Sequence, residues 1–157
     1  MQKDWQEVLD RFRYGIYLVS ITIDGQDNAM IASWVAQCSH EPPFVSVAIR
    51  NNRLSCAQIQ QAGAFCISVL PRESLALIKQ FKIPDWRHKF DGLTCRRSPQ
   101  GALVPANILG YLDCTLEQTI PSGDHTLFIG RVVAGEFLND SEPLSTADYS
   151  GNYRGER

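Results

Sequence analysis

Residues Asn28 to Ser55 read NAMIASWVAQCSHEPPFVSVAIRNNRLS, two strand-like runs that lead through a short basic loop into the start of a helix. Over Asn28–Cys38, small or polar side chains (Ala29, Ser33, Gln37) and the apolar Ile31 and Val35 alternate with Met30, Trp34 and Cys38, a period that predicts one strand. Glu41-Pro42-Pro43 stops it, because proline offers no ladder donor and forces the residue before it into extended backbone. Phe44–Ile49 is a second strand, rich in β-branched residues and short enough to lie in a core.

Arg50-Asn51-Asn52-Arg53 then changes the character of the chain. Ser55 followed three residues later by Gln58 is a capping-box pattern, which predicts a helix starting at Ser55. Its free amide donors and dipole, beside Arg50 or Arg53, favour a bound phosphate. The alternative is that Ser55 only caps the helix and the arginines are solvated.

Working outward, 157 residues with 44% apolar and 20% charged side chains fit one domain, 1–157, with residues 138–157 as a C-terminal arm. A net charge of −2 argues against a general nucleic-acid binder. No apolar run reaches membrane-span length, and Met1-Gln-Lys-Asp-Trp5 lacks the features of a secretory signal, so no membrane association and a cytoplasmic location are expected. Five cysteines without C-x-x-C spacing read as reduced, with Cys38, Cys66 and Cys114 as small buried groups. Three scattered histidines give no metal-ligand pattern.

Trp5, Val8, Leu9 and Phe12 have helical spacing, which predicts a short helix over residues 3–12 with Trp5 against the core. Gly15–Ile23 is a long strand, and Asp24-Gly25 signals a tight hairpin into the central stretch, so the first three strands form an antiparallel meander. Gly63 is a helix stop, Ala64–Leu70 a fourth strand, and Glu73–Phe81 a second helix with Leu75, Ile78 and Phe81 on one side. Residues 83–105 form a long irregular loop, of the kind that serves as a lid or binding loop. Ile108–Ile120 and His125–Ala134 are paired strands, with Gly130 marking a bulge or tight corner. The fold class is mainly β: a six-stranded antiparallel Greek-key split barrel with two or three short helices, closed because closure removes edges.

None of the eleven glycines forms G-x-G-x-x-G or a P-loop, and neither a nucleophile elbow nor a paired-carboxylate pattern is present. The combination of Tyr14–Val19, Asn28–Met30, Ala32–Ser39, Pro42-Pro43, Phe65–Leu70 and Gly123–Gly130 resembles the flavin reductase-like family of FMN-binding split barrels, in order over roughly residues 8–137. That resemblance implies a homodimer with FMN (FAD possible) at its interface. It implies NAD(P)H as electron donor, and free flavin, a monooxygenase or a redox protein as acceptor. It places Ser33, Trp34 and Val35 beside the isoalloxazine ring and Arg50, Asn51 and Ser55 on the phosphate. Ala29 and Ala48 leave room for a flat ring, and Asn28 and Ile49 complete the binding set. His125 falls near the flavin or nicotinamide, where it could stabilise reduced flavin; otherwise it pairs with Asp124 or closes the turn. Trp86, Phe90, Tyr149 and Tyr153 are aromatic residues that could cover the flavin or anchor their own segments.

Two other functions fit the same residues. One is an electron-transfer module fed by a rubredoxin-like partner; the other is a non-enzymatic flavin-binding module.

Overall fold

The computed structural model describes residues 4–148. Strands β1 (Tyr17–Ile23) and β2 (Gln26–Ala32) form the hairpin expected at Asp24-Gly25, and both turn residues have positive φ, 50° and 75°. The strand expected over 28–38 is instead two. β2 ends at Ala32, Ser33 and Trp34 make a link, and β3 (Val35–Ser39) runs on to pair with β4 (Phe44–Arg50) rather than with β1 or β2. The meander of three strands is therefore corrected: Trp34 O already accepts from Ala48 N at 3.0 Å, so the link hands the chain from one pairing partner to another.

Among the described residues seven strands, including β5 (Ala64–Val69), β8 (Gly110–Ser122) and β9 (His125–Phe137), form one antiparallel sheet. Its order is β2-β1-β5-β8-β9-β4-β3. The count is seven rather than six because 28–38 divides. Ala32 and Val35 can be at most about 11 Å apart along the chain, whereas flat packing would separate the two sheet edges by about 29 Å. The sheet therefore rolls until its edges meet at Ser33-Trp34. No ladder joins β2 to β3, so the closed barrel expected from edge avoidance is not formed; the edges touch at one corner and part.

Rolling lets side chains from β1 (Val19, Ile21), β4 (Val47, Ile49), β5 (Phe65, Ile67) and β9 (Phe128) share one core, plugged by Ile59 of α2 (Leu54–Ala62). The opposite faces of β1, β5 and β8 (Leu18, Cys66, Tyr111) bury a second core. Over it lie α3 (Leu75–Gln80) and a small hairpin, β6 (Cys95–Arg97) with β7 (Leu103–Pro105). Residues 83–105 are thus less irregular than expected. Gly63 ends α2 at φ 66°, as its position implied. Gly130 faces Leu116 beside a register shift in β8, and a Cβ there would come within 2.6 Å of the Phe65 ring. The bulge and the missing side chain make room for that ring.

Three further expectations are corrected. α1 (Asp4–Leu9) buries none of its residues, and Trp5 is 55% exposed, because so short a terminal helix has no groove of its own chain to fill. Leu75 is exposed while Ile78 and Phe81 are buried, since Arg72–Ser74 winds as a 3-10 turn that rotates Leu75 outward. Cys38 lies on edge strand β3 and is exposed, whereas Cys66 and Cys114 are buried; all five cysteines are free thiols. The arm is partly core: Leu144 is buried and exchanges backbone hydrogen bonds with Ile16 and Leu70. Tyr149 and Tyr153 lie outside the described residues. Among the described residues no helix is long and apolar enough to cross a membrane, and no cluster has metal-ligand character.

Candidate functional site

Two adjoining cavities open where the rolled sheet meets α2, and they share Met30, Ile31 and Arg53. The larger, about 650 Å³, has an apolar floor of Met30, Ile31, Ala32, Ala48 and Ile49. Ser33, Trp34, Arg50 and His125 stand at its rim. Because the β2 ladder stops at Ala32 and that of β3 starts at Val35, the amides of Ser33 and Trp34 make no ladder hydrogen bond. A flat apolar slot with two uncommitted donors at its edge suits a planar heterocycle with one polar side.

His125 starts β9 opposite Arg50 of β4. Its Nδ1 lies 2.6 Å from Asp124 Oδ1. The hydrogen bond from His125, and then its charge, hold the Asp124 carboxyl below the usual aspartate value. An ionised carboxylate only accepts, so Nδ1 is the donor in this contact. The pairing with Asp124 expected for this histidine is present, and it leaves the other ring nitrogen uncommitted. The Trp34 indole lies against the imidazole, centroids 4.7 Å apart, and Tyr14 lies 6.2 Å beyond Trp34. Tyr14 lines the cavity and was not found in the sequence because it sits before the first strand, away from the central stretch.

The smaller cavity, about 460 Å³, lies at the start of α2 and is bounded by Asn28, Ser55, Trp86 and Lys89 among others. The capping box is not formed. Arg53 occupies the N-cap position without a side-chain cap, and Gln58 Oε1 accepts instead from Asn28 Nδ2 at 2.6 Å. The reason is burial: Asn28 is 2% exposed and its carboxamide needs a partner, which Gln58 supplies. Ser55 is thereby released. It is 4% exposed, lines the cavity, and its hydroxyl makes no hydrogen bond among the described residues. The amides of Leu54 and Ser55 likewise have no backbone acceptor among the described residues. Arg53, Lys82 and Lys89 also line this cavity, and among the described residues around it none is acidic.

The structure thus separates the sequence-derived set. Ser33, Trp34, Ala48, Ile49, Arg50 and His125 meet in the larger cavity, and Asn28 and Ser55 in the smaller. Asn51 is in neither. Its carboxamide donates to Gly123 O and accepts from Thr126 Oγ1 at 2.7 Å, so it braces the turn that carries His125. Ala29 is buried, its carbonyl accepting from Lys89 Nζ at 2.7 Å, and Val35 points to neither cavity. Phe90 packs edge-on against Phe81 at 5.2 Å and anchors its own loop, whereas Trp86 does reach a cavity. Lys89, 60 residues along the chain from Ala29, was missed because only the fold brings them together.

These features fit a phosphorylated flavin: an apolar slot for the ring, and cations, amide donors and an orphaned hydroxyl for the phosphate. Comparison with known proteins points the same way. A family model described as flavin reductase like domain matches residues 9–157. The chain is 35% identical over 153 residues to a high molecular weight rubredoxin of Moorella thermoacetica, covering 95% of this chain and 67% of that one. It is 30% identical over 152 residues to a flavin reductase of Pseudomonas putida, covering 96% and 88%. The solved structure of nitrilotriacetate monooxygenase component B from Mycobacterium thermoresistibile superposes with a TM-score of 0.83 at 26% identity, over 97% of this chain and 82% of that one.

Proposed function

Because this chain belongs to the flavin reductase like domain family, we propose that it is a flavin reductase, taking electrons from NAD(P)H and passing them through flavin to free flavin or a monooxygenase partner. The observation that carries the reading is the pair of cavities that share Arg53, one floored by apolar strand residues and the other bordered by Arg53, Lys82 and Lys89 with no acidic residue among the described ones.

Bound flavin supplies the hydride-accepting and electron-donating chemistry. The protein supplies position and field. Met30, Ala32, Ala48 and Ile49 exclude water from the ring slot, and the Ser33 and Trp34 amides donate to a polar ring edge. Arg53, Ser55 and the first amides of α2 hold the phosphate, with Arg50 at the rim. His125, fixed by Asp124, presents Nε2 beside the slot, where it can accept or, when protonated, donate a hydrogen bond. Asn51 acts through the turn as a positioning residue.

We further propose a homodimer in a reducing compartment such as the cytoplasm. Trp5, Val8, Phe12, Trp34 and Phe137 are large apolar residues exposed on this chain, which a partner subunit would cover. The five free thiols suit that compartment. Similarity to a high molecular weight rubredoxin favours one second reading, an electron-transfer module fed by a redox protein. Anaerobic NADH or NADPH should bleach the bound flavin within seconds. Lack of bleaching by either donor, with bleaching by a reduced rubredoxin, selects the second reading.

A further inference from the structure

We propose that Thr146, 132 residues along the chain from Tyr14, is a positioning residue for the flavin slot: it fixes the Tyr14 backbone and, through it, the stacked rings of Tyr14, Trp34 and His125. This rests on the flavin reading for what fills the slot. It gives the C-terminal segment, no described residue of which lines either cavity, control over how tightly that ring is held.

Tyr14 needs support from elsewhere in the chain. It lies between α1 and β1 and belongs to neither. α1 buries none of its residues, and the Phe12 ring, 6.4 Å from that of Tyr14, belongs to a residue 52% exposed, so the N-terminal segment supplies no firm packing. Among the described residues both hydrogen bonds of the Tyr14 backbone run to Thr146. The Tyr14 amide donates to the Thr146 hydroxyl at 3.1 Å, and the Tyr14 carbonyl accepts from the Thr146 amide at 2.8 Å.

Thr146 is itself held from both sides, and it is buried. Before it, Glu142 O accepts from Arg72 N and Leu144 N donates to Leu70 O, each at 2.8 Å, while Leu144 O accepts from Ile16 N at 2.9 Å. Residues 142–144 therefore run where β1 and β5 part, and the buried Leu144 side chain anchors them in the second core. After Thr146, the Asp148 carboxylate accepts from Ser145 N at 2.9 Å and from Arg72 Nε at 2.8 Å. A β-branched side chain on so fixed a backbone offers its hydroxyl at one point.

At the other end of the linkage, Tyr14 lines the larger cavity and its ring lies 6.2 Å from Trp34, which lies 4.7 Å from His125. Trp34 is 47% exposed, so the rings on either side of it do much of the work of holding it. Its position carries the Ser33 and Trp34 amides that edge the slot. A valine at 146 would keep the shape of threonine and lose the acceptor, leaving the Tyr14 amide without its partner.

The test is titration of the purified full chain with riboflavin and with FMN by fluorescence quenching. T146V should weaken both flavins by the same factor, roughly two- to tenfold, the usual worth of an aromatic contact. T146S, which keeps the hydroxyl, should bind as wild type does, and T146A removes the same hydroxyl should T146V fail to fold. Y14A should weaken both flavins too, and adding T146V to Y14A should change nothing further, because Thr146 acts through that ring. I78V, which trims a buried side chain of α3, controls for stability: it should melt lower with flavin affinity unchanged. A second readout needs no ligand. The Trp34 ring current displaces the His125 ring-proton resonance, one of only three histidines to assign, and that resonance should move in T146V and return in T146S. A T146V protein that melts lower yet binds both flavins as wild type does overturns the proposal, as does an equal loss from T146V with and without the Tyr14 ring, or an unmoved His125 resonance. If wild type binds neither flavin, the flavin reading falls, and the His125 resonance alone decides whether Thr146 positions the rings.

Discussion

Replacing Ser55 by alanine separates a ligand-holding hydroxyl from a structural one. In the structure Ser55 is 4% exposed and lines the smaller cavity, and its hydroxyl makes no hydrogen bond among the described residues. The hydroxyl opens on the cavity and holds no partner within the fold, so removing it breaks no hydrogen bond, and alanine is the better helix former by a few tenths of a kcal/mol. S55A should therefore leave the ligand-free protein as stable as before or raise its stability by a few tenths of a kcal/mol. The loss appears with ligand. A hydrogen bond to a charged group is worth about 1.5–3 kcal/mol, which converts to roughly 10- to 140-fold in affinity for FMN. Riboflavin, which has no phosphate, should bind equally to both proteins. Fluorescence-quenching titrations with the two flavins, alongside thermal unfolding without ligand, read both quantities. A lowered melting temperature with equal losses for FMN and riboflavin would refute the reasoning, since it would make Ser55 a structural group.

Other consequences can be checked directly. G130A should cost about 1–3 kcal/mol in denaturant unfolding, because the new methyl meets the Phe65 ring at 2.6 Å and Cys114 Cβ at 2.8 Å; an unchanged midpoint would mean that β8 and β9 shift apart without penalty. Cys66 and Cys114 should resist alkylation at pH 8 in the native protein, as burial, followed by the Asp113 charge, pushes both thiols up, Cys114 to about 12. Labelling of either at the rate of an unfolded thiol would contradict the packing described. Asp124 has a lowered folded-state value, so its contribution to stability is present above the ordinary aspartate value near 3.8 and is lost as pH falls through the lowered one. Wild type should accordingly melt higher than D124N at pH 6, with the gap closing in acid below the ordinary value; a gap that is constant with pH would remove the His125–Asp124 pair from the account.

What could be read from the chain alone was whatever is fixed locally. Asp24-Gly25 and Gly63 announce positive φ, and the two long strands around Gly123 declare themselves by composition and turn. The break at Ser33-Trp34 was not legible, because alternation continues through it unbroken; only the rolling of the sheet shows that the residues on either side belong to opposite edges. The capping box expected at Ser55 does not form. Ser55 and Gln58 do have capping-box spacing, but the buried Asn28 carboxamide, 30 residues away, claims Gln58, and Ser55 is left facing the cavity. Asn51 looked like a ligand because it follows Arg50, and becomes a brace because the hairpin turn lies within reach of its side chain. Lys89 and Trp86 come from a loop whose sequence shows aromatics and charges but not where they land. Trp5 has helical spacing and no groove to occupy, a pattern that periodicity cannot distinguish from core contact.

The most direct measurement is the absorbance spectrum of the purified chain mixed with one equivalent of FMN under anaerobic conditions, before and after NADH and then NADPH. The expected result is a protein-perturbed flavin band that disappears within seconds of adding one of the two donors. A spectrum identical to that of free FMN, with no change on adding either nicotinamide, would contradict the assignment of the two cavities and of the reductase activity together.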